Sequence, residues 1–206
     1  MRVEVFFDVL CPWSYIGKRR LAAALADRDD LEIVWRSFEL DPDGSPVPGD
    51  TAADVIIQYR GDTGAARVAQ IQELGRADGL ELNLYKARPV NSFDSHRLMQ
   101  LAATRDLSEP LLERLLKGYH TEGLNIADHQ VLETLAVEAG LDAAEVRGVL
   151  GGDAFAAEVR SDERRAVHLN VRGVPTMVIG GGHPVSAVQT PADLVRIVDQ
   201  ASRAAG

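Results

Sequence analysis

The residue best suited to covalent chemistry is Cys11, which is the only cysteine among the 206 residues of the chain. It directly precedes Pro12, and proline favours the first position of a helix because no N–H donor is needed there. Cys11 is therefore expected at the N-cap, where free backbone N–H groups and the positive end of the helix dipole stabilise a thiolate. We accordingly predict that its pKa lies below the free value of about 8.5.

Two further residues of the first turn complete this predicted active site. Ser14 falls at the third helical position, where its backbone N–H and its hydroxyl can both face the sulfur. Trp13 is expected to shield the thiolate or to pack on a bound ligand. Asp8 precedes them by about one turn of chain, and its charge would oppose ionisation if it lies close. A buried and inert cysteine is the alternative, because free cysteines are among the most buried residues.

The elements that position Cys11 form a strand–helix–strand unit at the start of the chain. Residues 3–7 are rich in apolar and β-branched types, a helix is predicted from Pro12 to about Asp27, and residues 31–35 alternate as a second strand. A unit of this size implies two parallel strands joined by a right-handed crossover.

The rest of the chain is predicted to be helical in the middle and to return to strands near its end. After a loop at 41–50, helical patterning runs from 51 to about 170, with caps expected at Asp128, Asp142 and Asp153. Strands are expected at 174–179 and 184–188, on either side of a glycine turn. A last helix is expected to begin after the cap Thr190.

This order predicts an α/β protein with a thioredoxin fold that carries a large all-helical insertion. Residues 1–45 and 155–206 would form the thioredoxin-like domain, and residues 46–154 the insertion. The leucines of the insertion, such as those at 111, 112, 115 and 116, are predicted to be core, although some could line a pocket between the insertion and the sheet.

A second motif, at residues 173–176, contains Val174 and Pro175. A proline can simply open a strand. A cis bond between these two residues would instead present the N–H and C=O groups of Val174 towards Cys11. Such groups can pair with an extended peptide, as an added strand does. Glutathione or a protein thiol would suit that surface.

The run from Phe7 to Lys18, FDVLCPWSYIGK, resembles the active-site region of DsbA-family oxidoreductases of the FrnE type. Further marks of this resemblance follow in order along nearly the whole chain: Phe38–Pro42, Asn91–Ser92, His96–Arg97, Thr121–Gly123 with Ile126, Gly173–Thr176 and Val185–Gln189. The resemblance implies a thioredoxin fold with a helical insertion, thiol–disulfide chemistry and a cis-proline at Pro175.

Ser14 departs from the usual pattern of that family, whose oxidoreductases carry a second cysteine at this position. The related glutathione-dependent 2-hydroxychromene-2-carboxylate isomerases resemble Ser-Pro-x-Ser-Tyr here, so this chain is intermediate between the two. A serine is also what an engineered trap would carry. Without a resolving cysteine, a mixed disulfide on Cys11 must be released by a second molecule.

Three functions follow as hypotheses. The first is a DsbA-like thiol–disulfide oxidoreductase of the FrnE type, in which Cys11 and Ser14 are catalytic. The second is a glutathione-type, thiol-dependent isomerase of a small aromatic or polyketide-like molecule. The third is a non-catalytic binding or chaperone-like module. No tightly bound cofactor is expected; glutathione or another low-molecular-weight thiol would serve as the second reactant.

Substrate contacts are predicted for six residues: Pro12, Trp13, Asn91, His96, Val174 and Pro175. His96 could also be a core or capping residue, and Asn91 could equally turn the chain before a helix. A papain-like pair of Cys11 with His96 or His168 is a weaker alternative. The five histidines show no metal-ligand spacing, so no metal site is predicted.

Charge and composition exclude some partners. The formal net charge is -9 at pH 7, and a field of that sign repels nucleic acid and anionic membranes. We therefore expect a thiol or disulfide substrate, either protein or small molecule. No signal segment and no apolar run of membrane-spanning length is visible, so a cytoplasmic protein is expected. The oligomeric state is not predicted.

Overall fold

The computed structural model describes residues 1–205, with side chains as far as residue 203. Gly206, the last residue of the predicted thioredoxin-like segment, lies outside the described residues. The elements follow one another in this order: β1 (Arg2–Phe7), α1 (Pro12–Leu25), β2 (Glu32–Ser37), α2 (Ala52–Arg60), α3 (Gly64–Ala77), α4 (Phe93–Ala103), α5 (Ser108–Lys117), α6 (His129–Glu138), α7 (Ala143–Leu150), α8 (Ala156–His168), β3 (Thr176–Ile179), β4 (Val185–Ser186) and α9 (Pro191–Ala205).

The four strands form one mixed sheet in the order β2-β1-β3-β4. The central strand β1 pairs with β2 in parallel and with β3 in antiparallel, so that Val5 lies opposite both Trp35 and Met177. The predicted parallel pair and the predicted hairpin of β3 and β4 are thus confirmed. The sheet places the end of β1, and with it Cys11, beside the start of β3.

Alternate side chains of β1 enter two different cores, as the two-residue period of a strand requires. Val3 and Val5 pack with residues of α1 and α9 on one face. Phe6 packs with Ala166 of α8 on the other. The strand is therefore buried on both sides, which fixes the position of its carboxyl end.

The helices α2 to α7 occupy the chain between β2 and α8, where the insertion was predicted. The four leucines of α5 at 111, 112, 115 and 116 have no exposed surface, which confirms that they are core. Each fully buried leucine contributes roughly 1.5–3 kcal/mol from apolar burial. The boundaries 46–154 stay a prediction. None of the described helices combines the length and the apolar character that crossing a bilayer requires.

Three of the predicted helix caps are confirmed and one is wrong. The side chains of Asp128, Asp142 and Thr190 each accept hydrogen bonds from the first turn of α6, α7 and α9. Asp153 does not cap α8, which begins at Ala156 after Phe155 in a left-handed conformation (φ 64°). The backbone carbonyl of Asp153, not its side chain, accepts the Ala156 N–H at 3.1 Å.

Candidate active site

Cys11 occupies the N-cap of α1, which confirms the predicted position. Its backbone is extended (φ -84°, ψ 112°), and its carbonyl accepts the N–H of Ser14 at 2.9 Å. The sulfur, however, makes no capping hydrogen bond with the first turn. The thiol instead donates to the carbonyl oxygen of Val174 across 3.4 Å. The active-site segment is therefore joined to the start of β3 through its sulfur.

The Cys11 thiol is buried, with only 5% of the residue exposed. Loss of hydration on burial raises the pKa of Cys11 to about 11, and the negative charge of Asp8 adds to the rise. The backbone N–H groups of Ser14 and Trp13, with the Ser14 hydroxyl, act in the opposite direction. The prediction of a lowered pKa is thus wrong for this structure, because desolvation outweighs the helix N-terminus.

Asp8 lies fully buried directly before the active-site cysteine. Its two carboxylate oxygens accept the backbone N–H groups of Leu10, at 3.1 Å, and Leu40, at 2.6 Å. The ring Nε2 of His96 is 3.5 Å from the Asp8 Oδ1 atom. Asp8 thereby ties the segment before Cys11 to the chain after β2 and brings a carboxylate close to the sulfur.

The Val174–Pro175 peptide bond is cis. Pro175 lies against α1 at Gly17, where a Cβ atom would come within 2.8 Å of the proline Cγ atom. Its carbonyl accepts the N–H of Ala187 at 3.1 Å, which holds the hairpin in place. Around this proline lies a shallow groove of about 330 Å³, lined by Trp13, Arg67, Val174, Pro175, Ser186 and Val188. We call it the proline groove.

A second recess, of about 390 Å³, opens beside Cys11 and is here called the cysteine pocket. Helices α2 and α3 supply one side of its apolar wall, with Ala52, Val55, Ile56, Tyr59 and Ile71. Leu10, Cys11, Pro12 and Trp13 form the side that belongs to the active-site segment. The pocket thus lies between the helical insertion and the end of β1.

Trp13 and Arg67 line both recesses and form the wall between them. The Arg67 guanidinium lies 4.5 Å from the centre of the Trp13 ring, a cation–π contact worth roughly 0.5–1 kcal/mol at an exposed site. Trp13 is half-buried, and its predicted role in shielding the sulfur stays a prediction.

A π-helical turn at Gly118–Glu122 places Tyr119 and His120 behind the active-site segment. Both side chains are fully buried. Burial lowers the pKa of His120 to about 4, although the carbonyls of Val9 and Cys11 and the charge of Asp8 oppose this. Tyr119 reaches the cysteine pocket, and its hydroxyl has no hydrogen-bond partner among the described residues. Such turns are frequent at functional sites.

The structure does not bring all predicted site residues together. Ser14 is buried behind the sulfur, and its hydroxyl accepts the Asp8 N–H at 3.4 Å. Asn91 lines neither recess: its side chain donates to the Pro42 carbonyl at 3.2 Å and accepts the Phe93 N–H at 3.0 Å. His96 is fully buried against Asp8 and lines neither recess.

The alternative Cys–His pair gains no support. His96 faces Asp8, and His168 lies exposed at the end of α8. Another histidine, His120, lies against the backbone of Val9 and Cys11, and we did not single it out from the sequence. Gly118 and Gly123 bracket it, and Gly123 adopts φ 74°, so a glycine-flanked aromatic pair was the available signal.

Tyr15, the residue that motivated the isomerase hypothesis together with Ser14, points away from both recesses. Its hydroxyl donates to Glu113 at 2.7 Å, and Lys18 also pairs with this carboxylate at 2.9 Å. Burial raises the pKa of Tyr15, and the hydrogen bond and charge of Glu113 raise it further. Tyr15 therefore anchors α1 to α5.

The chain is similar in sequence and in fold to several known proteins. A solved structure of a probable DsbA oxidoreductase from Streptomyces coelicolor is 37% identical, with a TM-score of 0.92 over 98% of this chain and 90% of that one. An uncharacterised protein of Bacillus subtilis, YwbO, is 28% identical over 182 residues, which cover 87% of each chain.

Two more distant structures share the fold. The cytosolic disulfide reductase DsbM of Pseudomonas aeruginosa, solved with GSH, is 21% identical, with a TM-score of 0.68 over 98% of this chain and all of that one. A 2-hydroxychromene-2-carboxylate isomerase is 18% identical, with a TM-score of 0.66 over 100% of this chain and 96% of that one. The DSBA-like thioredoxin domain family matches residues 2–198, and the chain belongs to that family.

Proposed function

We propose that this protein is a FrnE-type thiol–disulfide oxidoreductase that works through Cys11 alone and uses a low-molecular-weight thiol, such as glutathione, as its second reactant. The observation that carries the proposal is the position of the single cysteine. Its sulfur lies at the N-cap of α1, 3.4 Å from the Val174 carbonyl, between the cysteine pocket and the proline groove. Membership of a family of thiol–disulfide proteins supports the same chemistry.

The first step is attack of the Cys11 thiolate on a substrate disulfide. The substrate S–S bond breaks, a new S–S bond joins Cys11 to one half, and the other half leaves as a thiolate that takes up a proton. The N–H groups of Trp13 and Ser14 and the Ser14 hydroxyl favour the charged sulfur. At rest the thiol is protonated, so loss of its proton is part of this step.

In the second step the low-molecular-weight thiol, as a thiolate, attacks the substrate sulfur of the mixed disulfide. The bond to Cys11 breaks, Cys11 leaves as a thiolate and is reprotonated, and the new disulfide between the substrate half and the small thiol is released. Cys11 thus ends in its original oxidation state. The half-buried backbone of Val174, whose carbonyl is freed when the Cys11 sulfur is in a disulfide, would hold an extended thiol peptide during this step. Pro12 and Trp13 would contact the substrate directly. Asn91 would act only through the loop at Pro42, and His96 only through Asp8.

A setting rich in reduced thiols is part of this proposal, because the chain carries no resolving cysteine. A cytoplasmic location would meet this requirement.

The test is turnover of hydroxyethyl disulfide with glutathione, coupled to NADPH oxidation by glutathione reductase. We expect glutathione-dependent turnover that is abolished in Cys11→Ser. The matched control combines Cys11→Ser with Ser108→Cys, which moves the single thiol to the start of α5. That variant should stay inactive. Full activity of Cys11→Ser, or recovery with the moved thiol, would overturn the proposal.

A thiol-dependent isomerase is the second candidate, and the apolar cysteine pocket is the observation that favours it. Such an enzyme would bind a small aromatic molecule there with a thiol cofactor beside it, and no net redox change would occur. Binding of a thiol without any attack on a disulfide would separate this function from the first.

A non-catalytic binding module is the third candidate, favoured by the burial and raised pKa of Cys11. Cys11→Ala distinguishes it, because a binding module would keep its function in the cell without the sulfur.

A further inference from the structure

We infer that the cysteine pocket binds a small apolar organic anion, with the anionic group held at Arg60 and Arg67 and the sulfur of its disulfide placed at Cys11. This inference rests on the proposed function and names the substrate class of the same site. Three observations support it: the apolar lining of the pocket, the charges of Arg60 and Arg67, and the buried hydroxyl of Tyr119.

The lining is apolar both inside and at the rim. Few large apolar side chains are strongly exposed in this protein, yet three of them meet at this mouth: Leu40 (48% exposed), Val55 (42%) and Tyr59 (86%). A cluster of exposed apolar side chains on one concavity marks a binding surface. The volume of about 390 Å³ lies within the range of small-molecule pockets, which is roughly 300–1,000 Å³.

The charges at the pocket favour an anion. Arg60 and Arg67 both line it, and neither guanidinium pairs with a carboxylate in the part of the chain that the structure describes. Arg67 donates to the Gln70 side chain at 2.7 Å and stacks on Trp13. Most other arginines of this acidic protein have carboxylate partners. One carboxylate, Asp41, also lines the pocket, so two cations face one anion there.

The third observation is the Tyr119 hydroxyl. Tyr119 has no exposed surface, reaches the pocket and has no hydrogen-bond partner for its hydroxyl among the described residues. A buried hydroxyl without a partner costs stability, and a ligand atom in the pocket is one group that can supply the missing hydrogen bond. A polar atom on the inner part of the ligand, such as a nitro, carbonyl or hydroxyl oxygen, would satisfy it.

Two aromatic disulfides test the charge preference. 5,5′-Dithiobis(2-nitrobenzoate) carries a carboxylate on each ring, and 4,4′-dithiodipyridine is neutral; both release a coloured thiol when Cys11 attacks. In Arg60→Gln/Arg67→Gln we expect the rate with the anionic reagent to fall roughly tenfold relative to the neutral one, as the loss of charge-assisted contacts predicts. The matched control is Arg164→Gln, an exposed arginine on α8 that lines neither recess.

The outcomes separate the two proposals. An equal change with both reagents would overturn the anion preference and leave the single-thiol function standing. Lack of reaction of Cys11 with either reagent up to pH 10 would overturn the single-thiol function. In that case a second measurement tests the anion preference without the sulfur. It compares the binding of 1-naphthoate and of neutral 1-naphthamide to Cys11→Ser by calorimetry. A preference for the carboxylate that is lost with both arginines supports it, and equal affinities overturn it.

Discussion

The cysteine pocket and the proline groove lie on opposite sides of the Trp13–Arg67 stack, and different parts of the chain line them. Helices α2 and α3 supply about half of the residues that line the pocket, so its shape depends on these helices. The groove is lined by the cis-proline segment Val174–Pro175 and by Ser186 of the short strand β4 with Val188 after it, next to the stack. Side chains distinguish substrates, whereas backbone groups accept any extended peptide. Under the proposed function, the pocket would take the substrate and the groove the thiol peptide.

The largest predicted effect concerns the sulfur of Cys11, which lines the pocket and bonds to Val174 in the groove. With a pKa of about 11, the thiolate fraction of Cys11 rises tenfold with each pH unit until that value is approached. The rate of attack on 4,4′-dithiodipyridine should therefore increase about 100-fold between pH 7 and pH 9. A rate that levels off below pH 8.5 would contradict this prediction. It would support instead the lowered pKa of Cys11 that the sequence predicts.

A second prediction separates the groove from the pocket. In Gly17→Ala the new Cβ atom would meet Pro175 at 2.8 Å and the Ala187 carbonyl at 3.3 Å, so the groove must shift while the pocket is untouched. We expect a loss of about 1–3 kcal/mol in the free energy of unfolding from overpacking. Release of Cys11 by glutathione should slow several-fold more than attack on 4,4′-dithiodipyridine.

Gly148→Ala is the control for this variant, because a Cβ atom on Gly148 in α7 would meet nothing within 4 Å. It should be neutral or slightly stabilising. If Gly17→Ala slows attack and release by the same factor, the two recesses do not act separately.

The smallest effect concerns the mouth of the pocket. Val55→Trp would narrow the opening and should slow the reaction of bulky aromatic disulfides by roughly fivefold, about 1 kcal/mol, while the small hydroxyethyl disulfide reacts normally. Val137→Trp provides the control, because Val137 is equally exposed (43%) on α6 and lines neither recess. Equal slowing of large and small disulfides would show that the mouth does not select by size.

The local features of the site could be predicted from sequence because each depends on neighbours in the chain. Pro12 fixes the start of α1 and so places Cys11 at its N-cap, and short polar side chains predict three of the four proposed caps correctly. Asp153 was the exception because the chain continues to turn through Phe155 before α8 begins.

The chemistry of the sulfur could not be predicted, because it depends on residues distant in sequence. Burial by the insertion and by the start of β3 sets the pKa of Cys11. The pocket arises only when α2 and α3 fold over the end of β1, so Arg60 and Arg67 gave no recognisable signal. Asn91 and His96 belong to the marks of the family resemblance, yet they line neither recess: Asn91 bonds to the loop at Pro42, and His96 lies 3.5 Å from Asp8.

The hydrogen bond from the Cys11 thiol to Val174 has a consequence for the lifetime of the protein. Peroxide attacks thiolates in preference to neutral thiols, and it converts them to sulfenic acids. In a chain with one cysteine, no internal disulfide can form to rescue such a product. A sulfur that rests protonated, buried and bonded to a carbonyl is therefore expected to resist oxidative loss while no substrate is bound.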